Sequence, residues 1–412
     1  MRDGKIEALL PLAEAAARFR SYPRDELAEH ALIPGLVNAH THAAMALMRG
    51  FADDLPLMRW LQEHIWPAEA KHVSPAFVRD GTLLACAEML RGGVTCFNDM
   101  YFFPEAALEA ALESGLRASL GMIVLEFPSA YGSDPDDYLA KGLALRDRWR
   151  EHELVSFCLA PHAPYTVSDA SFRKIASIAA EVDVPVHIHV HETAGEVERS
   201  VAEHGARPLA RLARLGLLGP GLIAVHAVHL SEEEIALLAR HGASVAHCPS
   251  SNLKLASGFA PIAKMSAAGV NVALGSDGAA SNNRLDLFAE MRLAALLAKA
   301  VAGDAAALPA AAALRAATLG GAIALGLQDR IGTIVPGKSA DLAAVRLAGP
   351  ELEPCFDPVS HLVYAAGREH VTDVWVAGKR LVRNGNLENS VLSRLKGPIN
   401  LWQNSLLARP EP

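Results

Sequence analysis

Residues 31–42, ALIPGLVNAHTH, run apolar into a His-x-His pair (His40 and His42). Residues 185–192, PVHIHVHE, do the same, ending in His187, His189, His191 and Glu192. Two further segments share the design: 222–229, LIAVHAVH, with His226 and His229, and 271–278, NVALGSDG, with Asp277. Each is a short β-branched run that delivers a metal-binding side chain at its end. On a strand, residues i and i+2 face the same side, so His40 and His42 form a two-pronged clamp. Imidazole nitrogens with a carboxylate suit zinc, or another divalent ion such as iron or manganese.

Eight such apolar runs recur along the chain, at 31–37, 94–98, 118–125, 155–160, 185–190, 222–226, 244–247 and 271–275. Between them lie stretches with helical spacing, including 76–91, 168–181, 196–215, 231–240 and 284–300. Ser74-Pro75, Ser168-Asp169 and the Ser231/Glu234 capping box mark helix starts. Continuous rather than alternating hydrophobicity fits parallel strands covered on both faces. The expectation is an α/β protein built on a TIM-like (β/α)8 barrel. An open doubly wound sheet gives a similar alternation. The ligand-bearing runs, however, are the first, fifth, sixth and eighth, and only a closed barrel gathers those ends around one mouth.

The flanks read differently. Asp3-Gly4 sits between short extended segments, and 331–347 and 370–387 read as short strands with turn residues. The expected organisation is an N-terminal part of a small β-sandwich domain in 1–30, the barrel in 31–328, the rest of the β domain in 329–400 and a loose tail in 401–412. A helix over 305–325 is expected on the outside of the barrel.

The chain has 412 residues, 51% of them hydrophobic and 20% charged, with a net charge of -8. That size buries a large core. The acidic balance argues against nucleic acid as a partner. Five cysteines without a C-x-x-C spacing read as buried thiols in a reducing compartment. The first residues are interrupted by charge, which argues against a secretory signal, and no uninterrupted apolar run reaches membrane-spanning length. The expected location is the cytoplasm.

The ligand set taken from strand-end position is His40, His42, His189 and Asp277. On spacing alone His187 or His191 could replace His189, and His229 could replace His226. A zinc ion in such a set also binds a water and brings its pKa to roughly 7. Asp277 and His226 are then placed to take that water's proton, and Glu192, just past the strand end, to shuttle it to the substrate. Residues 332–339, GTIVPGKS, match the phosphate-binding pattern G-x-x-x-x-G-K-[ST]. Too little helix follows, and Pro336 removes a backbone donor, so nucleotide hydrolysis is not expected.

NAHTH, HVHE at 189–192, VHAVH and LGSDGAASNN together resemble the amidohydrolase superfamily, specifically its aminohydrolase branch with one metal per barrel. Residues 157–166, FCLAPHAPYT, contain no lysine to serve as a carboxylated bridging ligand, in keeping with a single ion. Residues 32–70, 160–168 and 250–262 are similar to the 5-methylthioadenosine/S-adenosylhomocysteine deaminases. The resemblance implies hydrolytic conversion of a 6-amino group to an oxo group with release of ammonia. Glu192 would protonate the ring nitrogen next to the carbon under attack. It further implies Glu69 as the ligand of the ribose hydroxyls, His162 as a purine contact and Trp60 as part of the pocket wall. On residue pattern alone Glu69 also reads as a solvated helix carboxylate and Trp60 as core. Relatives are implied to be homo-oligomers and to carry strands preceding the Asp3-Gly4 turn, so the N-terminal part of the β domain is expected to be truncated. Some relatives hold the homocysteine carboxylate with arginines between strands three and four. In 131–150, YGSDPDDYLAKGLALRDRWR, no matching arginine is placed, which favours the uncharged thioether. The rival readings are another aminohydrolase (guanine, 8-oxoguanine or cytosine deaminase, or triazine hydrolase) and a non-catalytic scaffold.

Overall fold

A computed structural model describes residues 1–390 and 395–407. Its centre is an eight-stranded parallel sheet in strictly sequential order. The strands are β2 (Leu36–Thr41), β3 (Val94–Asp99), β4 (Arg117–Val124), β5 (Val155–Pro161), β6 (Val186–Val190), β7 (Leu222–His226), β8 (Ser244–His247) and β9 (Asn271–Leu274). Nearly every position on them is buried, as the continuously apolar runs require. First and last strand ends meet through Asn38, whose Oδ1 accepts from the Ser276 N–H at 2.9 Å while its Nδ2 donates to Ser276 Oγ at 2.7 Å. The Asp277 N–H adds a bond to the His40 carbonyl at 3.0 Å. These bonds close the barrel at the end where the site lies.

Inside it, Val37, Ala39, Cys96, Ile223, Val225, Ala246 and Ala273 pack with Ala322, Leu325, Leu327 and Ile331. The helical stretch expected over 305–325 therefore does more than coat the outside. It begins at Ala310, after Pro309, passes through a π turn at Ala316–Gly320, and closes the interior from below. Gly320 and Gly321 permit this, because a Cβ would stand 2.3 Å from the Val272 carbonyl oxygen and 2.7 Å from Val37 Cβ respectively.

The first expected strand is two. Residues His30–Pro34 (β1) leave the barrel and pair antiparallel with β10 (Leu342–Arg346), and the chain enters the barrel only at Leu36. Gly35 makes the switch, its N–H bonded to the Asp341 carbonyl at 2.9 Å. β1 opens a five-stranded antiparallel sheet, β1-β10-β11-β12-β13, with β11 at Val371–Val376, β12 at Lys379–Arg383 and β13 at Asn386–Leu387. The expected sandwich is, among the described residues, this sheet together with the Arg2–Lys5 turn, which bridges to Ser339. Asp3 (φ 49°) and Gly4 (φ 76°) make that turn left-handed, as their sequence suggests. Between it and β1 the chain forms a helix, Leu12–Arg18, where a β domain was expected.

Two other expectations need correction. The helix expected over 196–215 is two, Ala194–His204 and Pro208–Arg214, separated by left-handed Gly205 and by Pro208. The loose tail expected from 401 is helical to Leu407, in Lys396–Leu407, docked by Trp402 Nε1 donating to Asp80 at 2.9 Å and by its ring edge on Phe77. Residues 408–412 lie outside the described residues. The phosphate-loop pattern is confirmed as a decoy: strand β10, not a helix, follows Ser339, and Lys338 Nζ donates to the Gln328 carbonyl. No described helix is long and apolar enough to cross a membrane.

Candidate active site

The pairing of β2 with β3 slips between Asn38 and Thr41. Such an irregularity re-aims side chains at a strand end. Beyond it His40 and His42 lie ring to ring at 4.8 Å, His42 one residue past the strand. His189 comes from β6 and His226 from the last residue of β7, and Asp277 follows β9. His226 (φ 68°) and Asp277 (φ 60°) hold left-handed backbone, a strain of roughly 1–3 kcal/mol each that the surrounding bonds must sustain.

Donor atoms of His40, His189, His226 and Asp277 all lie within 4.8 Å of one another, and all four residues are buried. His42 joins through Asp277, its Nε2 3.2 Å from Oδ1, beside His40 Nε2 at 3.1 Å from the same oxygen. The strand-end set of His40, His42, His189 and Asp277 thus converges, and His226 stands closer to it than an outer base would. Of the alternatives left open by spacing, His187 lies beneath His40, its Nε2 2.9 Å from His40 Nδ1. His191 turns away to the Leu209 N–H and Glu234, and His229 to the Ser257 carbonyl.

The donor set fits a divalent cation. His42, His189 and His226 each spend Nδ1–H on an oxygen: Met100 carbonyl at 2.6 Å, His162 carbonyl at 2.7 Å and Asn252 Oδ1 at 2.8 Å. With Nδ1 engaged in this way, Nε2 is the nitrogen each ring turns to the centre, the orientation a metal-binding imidazole needs. Burial presses His40 down to about 4 and His189 well below its ordinary value, keeping both neutral. Asp277 is buried too, but hydrogen bonds from His40 and His42 hold it ionised, well below the usual carboxylate range. Burial works against a proton on His42, yet the hydrogen bond and charge of Asp277 outweigh it and raise His42 to about 9. A buried carboxylate that draws this much positive charge is suited to a cation.

The centre forms the floor of a cavity of about 540 Å³. Glu192 and His226 reach into it, the Glu192 carboxylate 3.9 Å from His226 Nε2 and 3.5 Å from Ser257 Oγ. Burial raises the Glu192 carboxyl above its ordinary value. His162 lines the cavity with Nδ1 3.0 Å from Thr166 Oγ1, and burial lowers it to about 3. The helical segment Leu57–Trp60, Leu61–Ile65, Trp66–His72 lies over the mouth, its middle part a π turn, a distortion common at functional sites. From it Trp60, Leu61, Ile65 and Glu69 line the cavity. Trp60, only 5% exposed, is wall and core at once. Glu69 accepts from the Tyr101 hydroxyl at 2.8 Å, and its burial in the wall raises its carboxyl to about 7. Among the described residues the lining holds no lysine or arginine. In the segment where a carboxylate-binding arginine was sought, Arg146 is turned outward to Asp147 and the Val182 carbonyl.

Sequence reasoning missed the supports. Ser251 and Ser281 both donate to Asp277 Oδ2, at 2.6 and 2.8 Å. Glu196 accepts from the N–H groups of His191 and Glu192 at 2.9 and 2.8 Å, fixing the turn that aims Glu192. Ser251 and Asn252 sit in the SSN stretch, whose polar run after an apolar strand was the available signal. Tyr101 had none.

Comparison with known proteins agrees with this geometry. Residues 31–381 match the model of the amidohydrolase family. A protein of Teredinibacter turnerae named 5-methylthioadenosine/S-adenosylhomocysteine deaminase is 49% identical over 405 residues, covering 98% of this chain and 92% of its own. A relative of the same name from Saccharophagus degradans is 47% identical, covering 99% and 92%. Among solved structures, an adenosine deaminase from Xanthomonas campestris with bound zinc superposes with a TM-score of 0.95 at 53% identity, covering 98% of this chain and 92% of that one. An atrazine chlorohydrolase from Arthrobacter aurescens complexed with zinc superposes with a TM-score of 0.85 at 28% identity, covering 91% and 88%. The fold and the His/Asp centre are those of a hydrolase acting on carbon–nitrogen bonds. The chain belongs to the amidohydrolase family.

Proposed function

We infer that this chain is a metal-dependent hydrolytic deaminase of an adenine nucleoside, taking 5-methylthioadenosine in preference to S-adenosylhomocysteine. The observation that carries the reading is the cavity wall. It offers one carboxylate, Glu69, apart from the catalytic groups, and is otherwise largely apolar, with no cation for an amino-acid tail. A carboxylate accepting hydrogen bonds from two hydroxyls suits a ribose diol, and the apolar wall of Leu57, Leu61, Ile65 and Leu125 suits a thioether. The names of the relatives give the same nucleoside class and include both substrates. A free base has no diol, which disfavours the guanine and cytosine alternatives. The triazine hydrolase alternative shares the fold at lower identity.

His40, His42, His189 and Asp277 would hold the ion, zinc before iron or manganese, with His226 beside it. Bound there, zinc supplies Lewis acidity and a water with a pKa of roughly 7. Asp277 would accept the proton of the attacking water, and His226 Nε2 would orient that water through the lone pair left free by the Nδ1–H bond to Asn252. Glu192, its carboxyl raised by burial, carries a proton to the ring nitrogen beside the carbon under attack. His162 and Trp60 hold the purine plane. Asp277 would return its proton to the amino group, which leaves as ammonia while the added hydroxyl gives its proton back to Glu192 and becomes the oxo group. Four of the five cysteines expected to be buried are so, Cys86, Cys96, Cys158 and Cys248, while Cys355 is exposed; free thiols suit a reducing compartment, and we place the protein in the cytoplasm.

Glu192→Gln keeps the shape of the pocket and removes the transferable proton. Its ammonia release from 5-methylthioadenosine is expected to fall by about 10²–10⁴-fold with zinc content unchanged. Activity within a few-fold of wild type would remove Glu192 from the mechanism.

A further inference from the structure

Glu290 lies in the first turn of the helix Leu287–Ala302, outside the barrel, and is 1% exposed. Both of its oxygens are occupied. Oε2 accepts from the Ser250 N–H at 3.0 Å, and Oε1 accepts from Asn282 Nδ2 at 2.8 Å. The two partners belong to different loops. Ser250 lies in the short helix Pro249–Lys254 after β8, and Asn282 in the short helix Ala279–Asn282 after β9. Each loop delivers a hydroxyl to Asp277 Oδ2: Ser251, next to Ser250, and Ser281, next to Asn282. Asn282 Nδ2 also donates to the carbonyl of Ser276 at 2.7 Å, the residue preceding Asp277. Asn252, two residues past Ser250, fixes the tautomer of His226.

We propose that Glu290 is a positioning residue for the metal centre: its carboxylate ties the loops after β8 and β9 at one spacing, and so aims Asp277 and His226. Glu290 is neither in the cavity wall nor among the clustered donor groups. Its effect passes through Ser251 and Ser281, which hold Oδ2 and leave Oδ1 facing His40 and His42. Both partners are donors, so the ionised carboxylate serves both, against burial that raises its carboxyl to about 7. An amide of the same shape offers one acceptor and one donor, and the donor would face another N–H. The loop on that side loses its tie, while packing around the helix is retained. Outer partners of metal ligands of this kind typically account for 10–100-fold in metal affinity or activity.

The inference rests on the His/Asp cluster being a metal site, which zinc retention by the wild-type chain tests separately. Glu290→Gln and Asn282→Ala cut the same tie from opposite ends. Zinc dissociation constants are measured by competition with a chromophoric chelator, alongside kcat and KM of the zinc-loaded proteins. Each single variant is expected to bind zinc roughly tenfold more weakly and to lose about tenfold in kcat, with KM within about twofold. The double variant should be little worse than Asn282→Ala alone, which cuts the Glu290 tie and also the bond to the Ser276 carbonyl. A merely structural role would lower the melting temperature of both variants and leave zinc affinity and kcat within about twofold of wild type, and that result would overturn the proposal. Additive losses would overturn it as well, by showing two independent contacts. Should Glu290→Gln fail to fold, Glu290→Asp, which keeps the charge but shortens the reach to Ser250 and Asn282, carries the same test with the same two outcomes.

Discussion

His42, His189 and His226 each point Nε2 inward because an oxygen behind the ring accepts Nδ1–H. That choice of tautomer separates a ligand from a packed histidine, and only the fold reveals it. In sequence, His187, His189 and His191 share one spacing, and strand-end position favoured His189. The structure brings His189 into the centre, sets His187 beneath His40 and sends His191 to Glu234. Tyr101 was invisible because its partner Glu69 lies on another element, joined only by the way the mouth closes. Glu69 also carries a pH dependence. Burial raises its carboxyl to about 7, with the Tyr101 hydrogen bond opposing. Below about 7 it takes a proton and loses acceptor capacity for a diol. KM for a nucleoside should therefore rise as the pH falls through about 7, and the dependence should vanish in Glu69→Gln. A KM that stays flat from about pH 8 to about pH 6 in the wild-type enzyme would contradict the ribose role. The same shift makes the folded state the stronger proton binder, so this group's contribution to stability is present at acid pH and lost as pH rises through about 7.

The eight barrel strands were legible as elements because parallel strands covered on both faces read as unbroken apolar runs. Their ends were less legible, since an apolar run does not mark where a strand changes sheets. Gly35 shows the cost of missing that point: 31–37 reads as one strand, yet the chain turns there from the small sheet into the barrel. A Cβ at Gly35 would lie 2.0 Å from Thr95 Oγ1 and 2.6 Å from Thr95 Cβ. Gly35→Ala is expected to destabilise the protein by about 1–3 kcal/mol in chemical denaturation, the usual scale of overpacking. Unchanged stability would show that β2 and β3 part more easily than their burial suggests. The π turn over the mouth was not legible either, since its residues have ordinary helical spacing.

At the scale of the molecule, the small sheet is tied to the barrel by Arg117 at the start of β4. Its guanidinium is buried and holds Asp341 with bonds of 2.9 and 3.2 Å. The tie lies at the end of the barrel opposite the site, so chemistry and domain docking are kept apart, as in barrels generally. The closed interior, plugged from below by Ala322, Leu325, Leu327 and Ile331, leaves only the mouth for a substrate. The central claim is that the mouth recognises a nucleoside, and ammonia release from the zinc-loaded protein tests it. The substrates are 5-methylthioadenosine, S-adenosylhomocysteine, adenosine, adenine, guanine and cytosine, compared side by side. The account predicts turnover of the nucleosides, 5-methylthioadenosine ahead of S-adenosylhomocysteine, and little from the free bases. Turnover of a free base in preference to every nucleoside would contradict it.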